Sequence, residues 1–393
     1  MSVVTLIAAC FALASCGMEE QTYSALSFRM ERESTYENED HYAVGLTYMY
    51  EGTGADIVIP TIKDGIPVTE INEEGFSNQD VSSKLTTITV PEGIKKIGKA
   101  AFKNCAQLSS ITLPSTLESI EADAFVGTAY YNNPENWSNG ALYIGTNLIA
   151  LSDTAVSGDV FTLREDTTCI AYGVFANEKE LKEVRNCENL VGLSENVFSN
   201  CDALSFVFGS KIKRIGKDVL SSCDSLTSIT IPVGAERIES GAFGYCKNLK
   251  TVTIPDSVKF IGEGAFVGSA AVEKQNGMYI VDGWLLESGN YYVGEQLKSD
   301  YVDISEVEDV VIPEGIRGIA VDCLRGFKSI KKLTIPASVK SICNFATESG
   351  NQNSLEVVYS GTKEEWGKIY NSDCWKRYTN IATISCSDGD IEK

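Results

Sequence analysis

Apolar and polar positions along this 393-residue chain repeat one pattern about nine times, every 22 to 26 residues wherever no insertion interrupts. A clear copy runs from Leu226 to Phe243, L-T-S-I-T-I-P-V-G-A-E-R-I-E-S-G-A-F, and the next from Leu249 to Phe266. In the first half of each copy Ile229 and Ile231 alternate with Thr230, the period of two that marks a strand with one face buried. The following Pro has no N–H to donate to a ladder, so it ends the strand. A second apolar pair comes next, as Ile94 with Ile97 or Val258 with Ile261. A turn ending in Ala-Phe closes the copy, followed by a polar tip and often a Cys.

The step of five residues from Ile to Phe or Leu recurs as Ile71/Phe76, Ile97/Phe102, Ile120/Phe125, Ile170/Phe175, Leu193/Phe198, Ile215/Leu220, Ile238/Phe243, Ile261/Phe266 and Ile319/Leu324. Phe175 to Phe198 is 23 residues, Phe198 to Leu220 is 22, and Leu220 to Phe243 is 23. A coil of this length has no core of its own, so each copy buries its apolar face only against its neighbours, as in a solenoid. Burial of about 1.5–3 kcal/mol per large apolar side chain, before entropy, is what stacking gains.

The segments L-T-S-I-T-I-P, K-R-I-G, G-A-F-G-Y-C-K-N-L and G-A-F resemble the BspA-type leucine-rich repeat of bacterial surface proteins, from about residue 44 to the C-terminus. The resemblance implies a β-rich leucine-rich-repeat solenoid, capped at both ends. Parallel strands line one face and short 3₁₀ or irregular turns the other. It also implies a surface or secreted location, with adhesion or host-protein binding in many members and no particular ligand.

Two stretches break the rhythm in the same way, near residues 126–169 and 267–309. The first contains N-G-A-L-Y-I-G-T-N-L-I from Asn139 and the second N-G-M-Y-I-V-D-G-W-L-L from Asn276. Both read as a β-hairpin with a Gly-containing turn inserted into a repeat. Leu142, Ile144, Ile280 and Leu285 favour inserts that continue the stack, while Tyr130, Tyr131, Trp137, Tyr291 and Tyr292 are the candidates for reaching a ligand. Residues 44–79 read as an N-terminal cap, 80–350 as the solenoid, and 351–393 as a C-terminal cap in which Trp366 and Trp375 cover the last coil.

At the start, residues 3–15 are apolar or small, and Leu13-Ala14-Ser15-Cys16 has the form of a bacterial lipobox. Residues 1–15 are thus read as a signal peptide and 16–43 as a polar tether lipidated at Cys16, giving a surface lipoprotein anchored by its acyl chains. The apolar run is too short to span a bilayer. Lys plus Arg number 33 against 54 Asp plus Glu, a formal charge of −21, and no basic cluster exists. Nucleic acid is therefore a poor partner, and the body reads as a monomer.

Cys105, Cys201, Cys223 and Cys246 each sit three residues after the Phe or Leu of a repeat, a single structural position filled by a small residue. No pair has zinc spacing, so the thiols read as structural, with Cys374 and Cys386 the candidate disulfide. The chain has one histidine, His41, and none of the phosphate, dinucleotide, hydrolase or metalloprotease signatures. The expectation is a binding protein without catalytic residues, metal or cofactor.

Binding then falls to the outward strand positions, mostly Ser and Thr, such as Thr89, Thr112, Thr230 and Thr253. One set differs: Lys182 and Arg185 stand beside Phe206 and Phe208 of the next strand. Aromatics grouped with Arg on an otherwise bland face are the makings of a protein hot spot. The leading expectation is an extracellular protein partner, a host matrix component or another cell. The alternative is a glycan held by the aromatic residues of the inserts.

Overall fold

The computed structural model describes residues 26–31, 41–46, 56–156, 158–288, 304–343, 354–371 and 380–391. Cys16, Tyr291, Tyr292, Cys374 and Trp375 lie outside these. The chain divides into two compact units, one with the described residues up to 150 and one with those from 151.

Each unit is a stack of coils. In the first, strands Asp56–Val58, Thr87–Thr89 and Ser110–Thr112 lie parallel and in register, pairing Val58 with Thr89 and Thr89 with Thr112. In the second, Ser228–Thr230 pairs with Thr251–Thr253 in the same way. The alternation read from the sequence holds here: Ile229 is 4% exposed while Ser228 and Thr230 face solvent. The second apolar pair of each copy builds another, narrower ladder. Cys169–Ile170, Gly192–Leu193, Arg214–Ile215, Arg237–Ile238 and Phe260–Ile261 run parallel, one per coil.

The turn that carries the Phe is stitched from coil to coil by backbone bonds. The Phe102 N–H donates to Ala124 O, Phe198 to Val219 O and Phe243 to Ala265 O, at 2.7–2.8 Å. These bonds satisfy buried amides that have no strand partner. They also align the rings: Phe102 and Phe125 stack at 5.4 Å between centroids, Phe175 and Phe198 at 5.3 Å, Phe243 and Phe266 at 5.2 Å. In seven copies the turn holds two left-handed residues, one two positions before and one two positions after the Phe or Leu. The first column reads Ala100, Asp123, Gly173, Asn196, Asp218, Gly241, Gly264. Gly241 is confined for a second reason, since a Cβ there would lie 1.9 Å from Asp218 Oδ1.

The cysteine column has a further task. The thiols of Cys201, Cys223 and Cys246 donate to the carbonyls of Phe175, Phe198 and Leu220 at 3.0, 3.2 and 3.0 Å, and Cys105 donates to Phe76 O at 3.3 Å. Thr128 and Ser269 occupy the same column where the inserts begin, and their hydroxyls donate to Phe125 O and Leu249 O. In these six copies the column thus holds a small side chain that donates, rather than a small filler alone; Gln79, Glu178 and Phe327 take it in the other three. Burial pushes the thiols up, to about 12 for Cys105 and Cys201 and about 11 for Cys246, keeping them in the protonated form that donates.

One copy departs from the rest. Leu181 to Leu193, Leu226 to Ile238 and Leu249 to Ile261 each span 12 residues, but Leu204 to Ile215 spans 11. The missing residue shifts the strand by one position, and a one-residue shift sends every side chain to the other face. Phe206 and Phe208 are 4% and 8% exposed, while Val207 between them is 80% exposed. Placing both rings outward is thus corrected. The front ladder is interrupted here: Glu183–Arg185 pairs only with Val160–Thr162, and Ser228–Thr230 only with Thr251–Thr253. The core compensates. This copy carries Leu220 in the Phe column, and the two turned-in rings carry the aromatic chain across it. Their centroids run Phe198–Phe206 4.7 Å, Phe206–Phe208 5.2 Å and Phe208–Phe243 6.2 Å.

Both inserts form hairpins, with one strand more than expected. Asn139-Gly140 and Asn276-Gly277 both have positive φ and make tight turns themselves. Trp137–Ser138 consequently pairs with Ala141–Leu142, and Glu273–Gln275 with Met278–Ile280. The second insert continues the stack, since Trp284 and Leu285 pair in parallel with Gly318 and Ile319. Arg317 ties it down, bonding Asp282 O at 2.9 Å, Asp282 Oδ2 at 2.8 Å and also the Ile254 carbonyl.

The N-terminal cap begins within the segment read as tether. Leu26–Glu31 pairs antiparallel with His41–Leu46, which joins Ile66–Ile71. At the other end Leu355–Tyr359 pairs with Ile381–Cys386, and Trp366 packs edge-on to Tyr359 at 5.3 Å. Cys386 is a free thiol.

Candidate functional site

The strand-face candidates do not come together. With Phe206 and Phe208 in the core, only Lys182 and Arg185 of the set remain outside, and both are neutralised. Arg185 grips Glu183 with two bonds, at 2.9 and 3.0 Å, and Lys182 reaches Asp159 at 3.2 Å. The Arg185 hydrogen bond holds the Glu183 carboxyl below its ordinary range. The surface here is a row of paired charges with two exposed valines, Val160 and Val207.

The aromatic group of the first insert does come together, but the Tyr130 hydroxyl and the Trp137 N–H are spent internally. The Tyr130 hydroxyl donates to Tyr143 O at 3.0 Å, and Trp137 Nε1 donates to Tyr131 O at 2.8 Å. The Tyr131 and Trp137 rings meet edge to face at 5.4 Å, and both are half-buried. Burial, with the Asp123 charge adding to it, raises the Tyr131 hydroxyl. These contacts hold the helix Ala129–Asn132 on the hairpin.

Other reactive groups are engaged inside the coils. His41 Nε2 lies 3.3 Å from Glu70 Oε1 and is buried. Glu239 sits between Arg214 and Arg237, at 2.9 and 3.0 Å, and Arg237 lies 4.0 Å over the Phe260 ring. Burial pushes the Glu239 carboxyl up, but the two guanidinium groups outweigh it and hold it below the ordinary range. Among the described residues, no group of three or more His, Cys, Asp or Glu is placed to hold a metal ion. No helix among them is long and apolar enough to cross a membrane.

One outward residue was missed from sequence: Tyr245. The left-handed column two residues after the Phe reads Asn104, Gly127, Asn177, Asn200, Ser222, Tyr245, Gly268, all at φ between 59° and 81°. Asn and Gly tolerate this conformation, whereas a bulky aromatic there is an outlier. Tyr245 is also 55% exposed. Aligning the copies by their Phe shows the substitution directly; only the backbone conformation shows that it is strained.

Comparison with known proteins agrees with this architecture. A family model described as a BspA type leucine rich repeat region matches six copies, over residues 58–149, 155–273 and 298–391. No curated protein matches the chain. Among solved structures, a leucine-rich repeat protein from Bacteroides ovatus is 17% identical, covering 85% of this chain and 70% of that one at a TM-score of 0.30. A leucine rich cell surface protein from Faecalibacterium prausnitzii is 23% identical, with 88% and 96% covered at 0.26. The pneumococcal vaccine antigen PcpA is 15% identical, with 91% and 96% covered at 0.24. At these scores the likenesses carry no argument about function.

Proposed function

The chain belongs to the BspA-type leucine-rich repeat family, and from that premise we propose that it is a non-catalytic binding protein displayed on the outside of a bacterial cell. Lipid at Cys16 anchors it, and the outward columns of its coils take an extracellular ligand. The observation that supports this reading most is the division of labour within the repeat. The recurring Phe, Ile and Cys columns are buried, and buried thiols donate to backbone carbonyls. Between these columns stand solvent-facing positions such as Val207, Ser228, Thr230 and Tyr245, the arrangement expected where one scaffold presents a recognition surface.

Cell fractionation tests the display. The wild-type chain, expressed in a double-membraned bacterium, is expected in the membrane fraction and open to protease on intact cells. Cys16→Ser should move it to the soluble fraction. A Cys16→Ser chain that stays in the membrane, or a wild-type chain that stays in the cytosol, refutes this reading.

A further inference from the structure

We propose that the turn edge centred on Tyr245 is a subsite for a neutral glycan chain. The inference rests on the surface-binding reading and names its ligand class.

The edge is built by backbone bonds that run along the stack. The N–H of Asn177 donates to Ser199 O, that of Asn200 to Ser221 O, that of Ser222 to Gly244 O and that of Tyr245 to Val267 O. These bonds line up Asn177, Asn200, Ser222 and Tyr245, one per coil. At the strand spacing of about 4.8 Å they span roughly 14 Å, the reach of about three sugar rings.

Their polar groups are available. Asn200 Nδ2 donates to Asn177 Oδ1 at 3.0 Å, which leaves the Asn177 amide N–H group and the Asn200 amide oxygen without a partner among the described residues. The Ser222 and Tyr245 hydroxyls make no hydrogen bond to the described residues either. The row therefore offers a donor, an acceptor and two hydroxyls that can do both, beside one exposed aromatic ring. A sugar presents a face of C–H groups that packs on such a ring, whose π face is electron-rich, and a rim of hydroxyls that pairs with amides and hydroxyls.

Charge narrows the class. The column two residues further along reads Lys179, Asp202, Asp224, Lys247, and it is paired within itself. Lys179 lies 3.7 Å from Asp202, and Lys247 lies 2.5 Å from Asp224. That column therefore carries no net charge, Glu178 beside Asn177 adds a negative one, and the chain as a whole carries −21. That favours an uncharged glycan over a sulfated or uronic one. A protein hot spot would need an apolar surround, but the other large exposed apolar residues among the described residues of this unit, Val160, Tyr172, Val207, Val233 and Val311, stand in other columns.

The strain at Tyr245 is the independent sign of function. Asn fills this position in three copies and Gly in two, at no such conformational cost. A bulky residue held in a left-handed conformation costs stability, and such costs cluster at functional sites. The ring also has room here, because Gly268 occupies the next coil: a Cβ on Gly268 would come within 3.3 Å of Tyr245 Cδ1.

The test is an array of immobilised neutral hexose and N-acetylhexosamine oligosaccharides, with sulfated and uronic oligosaccharides and extracellular matrix proteins as separate arms. It is probed with the purified full-length chain. Binding is expected in the neutral arm. Tyr245→Asn should weaken it by about tenfold or more while leaving the melting midpoint unchanged or raised, because Asn suits the conformation. Tyr245→Phe should keep most of it, and Asn104→Ala, the same column in the other unit, should have no effect. Binding confined to the acidic or matrix-protein arms overturns the glycan class. Neutral binding that survives Tyr245→Asn overturns the site, and so does an array with no neutral binding at all. Surface display is read separately by the Cys16→Ser fractionation, so this subsite can fail while that reading stands.

Discussion

Alanine at Phe206, Val207 and Phe208 in turn gives a direct reading of the register slip. Phe206 is 4% exposed and touches Phe198 and Phe208 at 4.7 and 5.2 Å; Phe208 is 8% exposed and reaches Phe243 at 6.2 Å. Truncating a buried Phe costs about 3–5 kcal/mol, cavity included. Val207 is 80% exposed, and such a surface change stays within about 0.5 kcal/mol. The expected order is therefore Phe206→Ala and Phe208→Ala both severe, with Val207→Ala silent. Coils of a solenoid open locally, so the assay is hydrogen–deuterium exchange of peptides covering residues 198–215, followed by mass spectrometry. A loss of 3 kcal/mol raises the local opening constant more than about a hundredfold. If Val207→Ala accelerates exchange more than Phe206→Ala, or all three are silent, the slip is refuted and the rings face solvent.

Further expectations follow from the cysteine column, the buried carboxylate and the insert clamp. Native protein at pH 8 should leave Cys105, Cys201 and Cys246 unlabelled by iodoacetamide, because burial raises these thiols to about 11–12; rapid native labelling would contradict it. Cys223→Ser should preserve the donor to Phe198 O and exceed Cys223→Ala in stability by about 1 kcal/mol in urea unfolding. Glu239 has a folded value held below its unfolded one of about 4.3. Its contribution is thus full above that value and lost as pH falls through the lower folded value. Glu239→Gln removes the carboxylate that both half-buried guanidinium groups contact, should cost about 1.5–3 kcal/mol at pH 7, and should flatten the acid limb of the stability curve. Arg317→Ala should speed exchange in residues 278–285, since charged bonds of this kind are worth about 1.5–3 kcal/mol each.

Much of the fold was legible because a repeat states its core many times. Each column of Phe, Ile and Cys is sampled in several copies, so chance cannot imitate it, and all three proved buried. The N-G pairs of the inserts were legible as hairpin signals, yet their own turns add a strand that counting apolar positions does not reveal. The candidate hot spot failed on phase. Counting forward from Leu204 places Phe206 opposite Ser228, as if this copy had the usual length. The 22-residue step from Phe198 to Leu220 already marked a missing residue, and in a strand one residue inverts the face. The cysteines were placed correctly, but their role as donors depends on a carbonyl of the preceding coil, which no single copy shows. Tyr245 stands out only once its neighbours in the column are known to be left-handed.

Hydroxyl-radical footprinting of the intact chain, read residue by residue by mass spectrometry, tests most directly the claim that the Phe column and the two turned-in rings are core while Val207 and Tyr245 face solvent. The account predicts strong modification of Tyr245 and Val207 and protection of Phe198, Phe206, Phe208 and Phe243. Protected Tyr245 with modified Phe206 and Phe208 would contradict it.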